Sequence, residues 1–390
     1  MKYRKMPRIH EDLSILGFGC MRFPVLENDI SRIDEEKASE MLIHAIENGL
    51  NYIDTAYPYH GKGTPDGGAS EPFVGRVLAE GYRDKVMLAT KLPSWFIGAR
   101  SDMDKYLAKQ LLRLQTDHID FYLVHALNKK YWSALKPLDL TGFLDSAKKD
   151  GRIRYAGFSF HDDSIGLFKE IVDAYDWDFC QIQYNYLDEN YQAGREGLEY
   201  AAQKGLGIVI MEPLKGGSLA VTMPPDAIEE FEKVKPDRKP VDWALSWLWN
   251  HDNIHVVLSG MNNLEQVREN LNIADRSEEG CLGKEEIQAV NRVKEIMNSK
   301  VQVQCTTCGY CMPCPNGVDI PRNFLYYNNY HRFDDNKTRL NSRIMYNAVL
   351  TEDEKALACI ECGICEPLCP QGIQIIDRLK DVAGVMAQEQ

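Results

Sequence analysis

The sequence predicts an α/β protein: a closed (β/α)8 TIM barrel followed by a small helical, cysteine-rich domain. Three observations lead there. Short β-rich runs alternate with longer amphipathic stretches over the first ~280 residues, the pattern of a parallel sheet with crossover helices. Eight such units follow one another, the number that closes a barrel of ~250 residues. Beyond residue 300 the alternation stops, and eight of the eleven cysteines crowd between positions 305 and 369.

The expected strands are Leu16–Gly19, Asn51–Thr55, Lys85–Thr90, Ile119–His125, Arg154–Phe158, Phe179–Gln183, Gly207–Met211 and His255–Ser259. Helices are expected between them over Glu35–Asn48, Met103–Arg113, Thr141–Asp150, Gly194–Gln203 and Leu264–Asn270. In the first, apolar Ala38, Met41, Leu42, Ala45 and Ile46 recur three and four apart, and Gly49 is the stop. A hairpin around Arg4–Ile15 is expected to close the bottom of the barrel, and a last helix over 282–300 to precede the cysteines. An open doubly wound sheet is the rival fold. It usually carries Gly-x-Gly-x-x-Gly after its first strand, and Gly17-Phe-Gly19-Cys-Met-Arg lacks the third glycine. The expected division is 1–299 for the barrel and 300–390 for the cysteine domain.

The formal net charge of −13 argues against binding nucleic acid or anionic lipid, which want a basic face. No run approaches the ~18–20 apolar residues of a membrane span. The basic start, Met1-Lys-Tyr-Arg-Lys-Met-Pro-Arg, has no apolar stretch behind it and does not read as a secretory signal. The expectation is a cytoplasmic protein with no membrane and no nucleic-acid partner. Thiols stay reduced there, so eleven cysteines point to metal or redox chemistry.

The first cysteine motif is Cys305-x-x-Cys308-x-x-Cys311-x-x-Cys314-Pro315, and the second is Cys359-x-x-Cys362-x-x-Cys365-x-x-x-Cys369-Pro370. A two-residue spacer brings successive thiolates around one centre. Paired Cys-x-x-Cys also makes zinc sites, but zinc needs neither the third and fourth cysteines nor the trailing proline. The motifs resemble those of two-cluster ferredoxins, in which the cysteine before proline ligates the other cluster. That resemblance implies two [4Fe-4S] clusters, one on Cys305, Cys308, Cys311 and Cys369, the other on Cys359, Cys362, Cys365 and Cys314. The first motif has one residue fewer before its last cysteine, which bears on Cys314. The spacer looks helical around Pro321–Tyr327 and Leu340–Val349, with Thr351-Glu-Asp-Glu as a helix cap, so the domain resembles the α-helical ferredoxins of larger redox enzymes.

In such barrels the chemistry lies at the C-terminal strand ends. There the sequence has Asp54-Thr-Ala-Tyr-Pro-Tyr59, Ala89-Thr-Lys91, Leu114-Gln-Thr-Asp-x-Ile-Asp-Phe-Tyr-Leu-Val-His125, Gly157-Phe-Ser159, Gln181-Ile-Gln183-Tyr-Asn and Glu269-Asn270. In order and spacing these resemble the aldo-keto reductase family over most of residues 10–275. A carbonyl that accepts hydride needs a proton at its oxygen, and a phenol of ordinary pKa near ~10 is a poor donor at neutral pH. A neighbouring ammonium favours phenolate, and a buried carboxylate holds that ammonium in place. The resemblance implies Tyr59 as acid/base, Lys91 as the ammonium, Asp54 as its carboxylate and His125 as the group orienting the carbonyl.

The same resemblance implies that Gly19, Cys20, Met21, Ser159 and Gln183 contact the nicotinamide end of a dinucleotide. It puts Ser259, Gly260, Gln266, Glu269 and Asn270 around the adenosine. Met211 stands where many relatives place a tyrosine that stacks on the nicotinamide. Gly260 and Gln266 align with the basic residues that grip a 2′-phosphate, so NADH, NADPH and a flavin all stay open as cofactors. The loop from His60 to Glu71 is longer than usual, and Tyr57, Trp95 and Phe96 suggest an apolar substrate wall. Each residue also has a plainer use: Asp54 could cap a turn, Tyr57 and Tyr59 could be core aromatics, and Lys91 and His125 could make structural pairs. Cys20 and Cys180 read as small core fillers.

The expected function is NAD(P)H-linked reduction of a small carbonyl, or oxidation of the alcohol, coupled to clusters that exchange electrons with a partner protein. Hydride carries two electrons and a cubane one, so a flavin or a radical step is needed to join them. Two alternatives stay open: an ordinary carbonyl reductase with structural clusters, and an electron-transfer or partner-binding subunit with a vestigial barrel.

Overall fold

The computed structural model describes residues 1–62, 65–305, 307, 309–333, 335–369 and 371–387. The chain makes two compact units, Met1–Lys215 with Asp242–Gly283, and Gly216–Val241 with Lys284–Gln390.

The first unit holds eight parallel strands closed into a barrel. They are β1 (Leu16–Gly19), β2 (Tyr52–Asp54), β3 (Met87–Leu92), β4 (Ile119–Leu127), β5 (Ile153–Phe160), β6 (Phe179–Gln183), β7 (Gly207–Met211) and β8 (Val256–Ser259). Each pairs with its sequence neighbours, and β8 pairs with β1 (Val257 opposite Leu16). Strands buried on both faces read as near-continuous apolar runs, and Phe121-Tyr-Leu-Val124 is fully buried. The open-sheet rival is thereby excluded.

The hairpin at the start pairs Tyr3 with Ser14 and Arg4 with Leu13. Its Met6, Ile9 and Leu13 pack on Tyr52, Phe121, Phe179 and Val256 and plug the N-terminal end of the barrel. Gly207 leaves the space that the Met6 side chain fills. Outside, Glu35–Glu47 buries the five predicted apolar residues and is capped by Asp34, whose carboxylate accepts from Lys37 N.

His255, just before β8, stitches two strands. Its N–H donates to Ile208 O at 3.0 Å, and its Nδ1 accepts from Ile208 N at 3.1 Å. An accepting Nδ1 suits a neutral ring, and burial, with Arg4 nearby, depresses the pKa from 6.5 to about 4. The unfolded chain takes up this proton below pH 6.5 while the fold resists it. The stabilisation is therefore whole above 6.5 and is lost as pH falls through about 4, up to about 3 kcal/mol. The thermal midpoint should fall over that window, and His255→Asn should make the fall shallower.

In the second unit, helices Pro225–Glu232 and Lys284–Ser299 are joined by Arg292 to Glu230 at 2.6 Å. The last helix expected before the cysteines is thus present, grouped with this unit. Helices Ile320–Arg332, Asn336–Val349 and Ile375–Met386 surround Val318, Phe324, Tyr346, Leu350, Leu379 and Val382. The buried Asn323 amide donates to Asp319 O and Glu354 O, both at 2.7 Å, and its oxygen accepts from Tyr346 OH at 3.0 Å. Thr351-Glu-Asp-Glu makes half of the expected cap, Glu354 Oε2 accepting from Thr351 N at 2.9 Å. It closes a turn leading to the short 3-10 segment Ala356–Ala358 instead of opening an α-helix. Among the described residues no helix is long and apolar enough to cross a membrane.

Candidate functional site

The barrel register brings Asp54, Lys91 and His125 to one rim: Gly19 stands opposite Asp54, Asp54 opposite Ala89, and Lys91 opposite Leu123. The Lys91 ammonium donates to Asp54 Oδ1 at 2.7 Å, Asp54 Oδ2 at 2.8 Å, Thr55 O at 2.9 Å and Tyr59 Oη at 3.2 Å. An ammonium has only donors, so the Tyr59 oxygen is the acceptor and the phenolic hydrogen is left for another partner. The Lys91 and Asp54 side chains are 1% and 3% exposed, which makes this a desolvated ion pair.

Electrostatics in this corner are set first by burial. Burial pushes the Tyr59 phenol up, and the Lys91 charge opposes it. Burial also raises the Asp54 carboxyl against the pull of Lys91. Lys91 is held charged: Asp54 and Tyr59 outweigh its desolvation. Lys91 thus acts in the direction the sequence implies, but the phenol as a whole lies above its ordinary value, so Tyr59 keeps its proton at neutral pH. His125 is driven well below 6.5 by burial and by the nearby Lys91 and His161, and its ring is neutral.

A bulge places His125. The pairing of β4 with β5 shifts between Val124 and Leu127, and Ala126 takes a left-handed φ of 52°. The Ser159 hydroxyl holds the bulge by accepting from Ala126 N at 2.8 Å. Such bulges re-aim side chains. The His125 ring packs on Trp95 at 5.0 Å and lies edge-on to Tyr59 at 6.1 Å. Trp95 also meets Phe96 and Tyr131, so an aromatic wall stands beside the tetrad.

Tyr57 and Tyr59 separate cleanly. The Tyr57 hydroxyl donates to Pro65 O at 2.6 Å, and its ring lies under Lys109 and Arg113. Its work is to hold the long loop after His60. A buried network behind it escaped the sequence reading. Fully buried Glu71 accepts from Thr90 Oγ1 at 2.7 Å, Gln110 Nε2 at 2.8 Å and Arg113 Nε at 2.8 Å. Gln110 also donates to Lys91 O at 3.0 Å, joining this network to the lysine strand. No local motif marks such a set, because its members lie on different elements.

Of the residues expected around a dinucleotide, Gly19, Ser159, Gln183, Met211 and Ser259 lie at or near the ends of β1, β5, β6, β7 and β8, and Gln266, Glu269 and Asn270 lie on helix Leu264–Arg276. Cys20 is buried, its N–H donating to Asp54 O at 2.8 Å, and burial raises its thiol well above the ordinary range. Met21 is exposed. Ser259 Oγ accepts from Asn270 Nδ2 at 2.8 Å, and Asn270 Oδ1 is buried with no partner among the described residues. Gln266 turns inward on its own loop, accepting from Asn262 N at 2.9 Å. Glu269 lies one residue before Asn270 in helix Leu264–Arg276. Gln183 donates to Asp188 at 3.2 Å, and Asp188 pairs with Lys215 at 2.7 Å. Gln181 is the residue the sequence reading passed over. Its Nε2 donates to Met211 Sδ at 3.5 Å, and its buried Oε1 has no partner among the described residues. Period-two alternation puts both glutamines on one strand face, so spacing could not choose between them.

Cysteines of the second unit line two hollows. Cys305, Cys311 and Cys369 line one, with about 320 Å³ of empty space including its mouth. Cys314, Cys359, Cys362 and Cys365 line the other, of about 310 Å³. Cys308 lies outside the described residues. Cys314 therefore stands with the first three cysteines of the second motif, and Cys369 with Cys305 and Cys311 of the first, and the shorter spacing before Cys314 does not prevent it.

The backbone repeats as well. Thr307 and Glu361, each two residues after a first cysteine, share a left-handed φ of 56°, and Gly309 and Gly363 share 74°. Gly317 N donates to Cys314 O at 3.0 Å, and Gly372 N to Cys369 O at 3.1 Å. Thr307 N also points at Cys305 Sγ, 3.4 Å away. Sulfurs lining a hollow, with an N–H turned to one of them, fit a cubane.

Comparison with known proteins agrees with both halves. The model of the 4Fe-4S dicluster domain matches residues 304–374. The uncharacterized oxidoreductase YqkF of Bacillus subtilis (strain 168) is 28% identical over 323 residues, covering 74% of this chain and 95% of that protein. The NADH-specific methylglyoxal reductase of Escherichia coli (strain K12) is 27% identical over 333 residues, covering 72% and 96%. Among solved structures, the aldo-keto reductase AKR11C1 from Bacillus halodurans (holo form) superposes with a TM-score of 0.62 at 26% identity. It covers 75% of this chain and 96% of its own. The aldo/keto reductase model itself matches residues 15–295, most of the chain and every barrel strand, and this oxidoreductase belongs to the aldo/keto reductase family.

Proposed function

We propose that the chain reduces a small carbonyl compound, or oxidises the matching alcohol, with a nicotinamide nucleotide in the barrel and two [4Fe-4S] clusters in the cysteine pockets. By sequence we divide the chain into a barrel domain, residues 1–299, and a cluster domain, residues 300–390, while by packing Gly216–Val241 and the helix Lys284–Ser299 group with the cluster unit. The observation that carries this reading is the buried Lys91 ammonium, held by both Asp54 oxygens and 3.2 Å from the Tyr59 oxygen.

A reduced nicotinamide, when bound, supplies hydride to the carbonyl carbon. Tyr59 gives its proton to the carbonyl oxygen, and the phenolate left behind is stabilised by Lys91. Asp54 keeps Lys91 charged and in place. Neutral His125 adds a polar contact for the carbonyl oxygen without a second positive charge. Trp95 and its aromatic neighbours exclude water and favour an apolar substrate body. Gly260 and Gln266 offer no cation for a 2′-phosphate, and the E. coli relative bears the name of an NADH-specific enzyme. Both favour NADH.

The clusters supply one-electron transfer, and Cys362, exposed on its pocket, is the natural side for an electron-transfer protein. Reduced thiolates of this kind suit the cytoplasm.

An anaerobic preparation should contain about eight irons and eight sulfides per chain. Cys314→Ala should empty the pocket shared with Cys359, Cys362 and Cys365 and lower both counts by about half. A cluster lost instead from the Cys305 pocket would reverse the ligand assignment. NADH or NADPH oxidation by a panel of aldehydes, ketones and dicarbonyls tests the barrel. A folded protein that turns over with none of them would sink the catalytic reading.

A further inference from the structure

We propose that His161 is a substrate-binding residue at the barrel mouth, and that it selects carbonyl compounds bearing a second oxygen on the carbon next to the one reduced. The proposal rests on reading the Tyr59 corner as a site of carbonyl reduction.

Strand β5 decides which way His161 points, because successive side chains of a strand face opposite sides. The Phe158 ring packs on Phe168 at 5.9 Å and Trp177 at 5.1 Å, and the Phe160 ring packs on Phe168 at 5.1 Å. Phe168 belongs to helix Ile165–Asp173, so both phenylalanines face outward onto the helix layer. Ser159 takes the other face, where its hydroxyl meets Ala126 N. His161, two residues on, shares that inner face just past the strand end. Its N–H donates to Leu127 O at 2.8 Å, which carries the ladder with β4 beyond the bulge. The next residue is fastened as well. Asp162 Oδ2 accepts from Lys129 N at 3.0 Å, and its Oδ1 accepts from Ser164 N at 2.9 Å. His161 is thus held between a strand pair and a tied turn.

The surroundings of the ring agree with that direction. Burial lowers its pKa from 6.5 to about 4, and the Lys91 charge adds to the effect. His161 in turn helps to depress His125. Two neutral imidazoles therefore stand in the same corner as the Lys91 ammonium, whose three hydrogens already serve Asp54, Thr55 and Tyr59. A neutral imidazole carries one N–H donor and one acceptor nitrogen. With Tyr59 and His125 on the carbonyl oxygen, His161 donates to a neighbouring carbonyl or accepts from a neighbouring hydroxyl. An uncharged ring gives a carboxylate no ion pair, so the second oxygen is a neutral one. A plain aldehyde leaves the imidazole without that bond.

The test compares propanal, 2-hydroxypropanal and 2-oxopropanal as substrates of the anaerobically prepared full chain. His161→Leu should lower kcat/KM for one or both of the dioxygenated aldehydes by about 10-fold or more, mainly through KM, and leave propanal within about twofold. Which of the two falls tells a hydroxyl partner from a carbonyl one. His161→Phe keeps a planar ring without polar nitrogens and should do the same, so the result does not hang on one variant folding. His161→Gln restores a donor and an acceptor and should recover most of the loss. An equal loss on all three aldehydes, or no loss on either dioxygenated one, would overturn the proposal. Wild-type protein that reduces none of the three would overturn the carbonyl reading itself, and the proposal with it.

Discussion

Tyr59→Phe should lower kcat for carbonyl reduction by about 10²–10⁴-fold, the usual worth of a positioned proton donor. The change removes one oxygen that accepts from Lys91 at 3.2 Å, while the ammonium keeps its three stronger acceptors, Asp54 Oδ1, Asp54 Oδ2 and Thr55 O. The fold should therefore be nearly unaffected, and a thermal melt run beside the kinetics separates chemistry from stability. Nucleotide affinity should also hold, because the phenol hydrogen is used only when charge develops on the carbonyl oxygen. Burial raises the Tyr59 pKa, so reduction by wild-type enzyme should persist into alkaline solution and decline only as the phenol ionises. Retained activity in Tyr59→Phe would remove Tyr59 from the mechanism.

Lys91→Met should destabilise the barrel by about 3–5 kcal/mol, the cost of leaving one member of a buried pair alone. The figure needs no discount for solvent screening, since the two side chains are 1% and 3% exposed. Reduction should be lost as well, because nothing then stabilises the Tyr59 phenolate. The double change Asp54→Asn with Lys91→Met is the informative control. It removes the stranded carboxylate, so stability should return in part while activity stays absent. Denaturant unfolding of the two single variants and the double variant measures the coupling. Additive losses would mean that Asp54 and Lys91 do not act as a pair.

The candidate residues could be picked out because Asp54, Lys91 and His125 lie near the ends of strands that were visible as apolar runs. Tyr59 was implied by the resemblance, and the structure gives Tyr57 a separate task on the Pro65 loop. Other parts were hidden for definite reasons. Gln181 and Gln183 share one strand face, and only the contacts with Met211 and Asp188 tell them apart. Glu71, Gln110 and Arg113 look like ordinary helix residues until the barrel folds them behind Lys91. The Thr351 cap was read correctly as a motif, but it closes a turn, because the chain must turn there to bring Cys359 to its pocket.

By itself the sequence determined what depends on short range and on pattern. Alternating apolar and amphipathic runs indicated the barrel, cysteine spacing marked the two motifs, and the family resemblance carried by polar residues near strand ends named the candidate tetrad. Only the tertiary structure decided what depends on distance between remote segments. It put Cys314 and Cys369 each in the pocket of the other motif. It set His125 beside a bulge in the pairing of β4 with β5. It also pushes the Tyr59 phenol above its ordinary value, since burial is a property of the packed barrel and outweighs the charge of the lysine beside it.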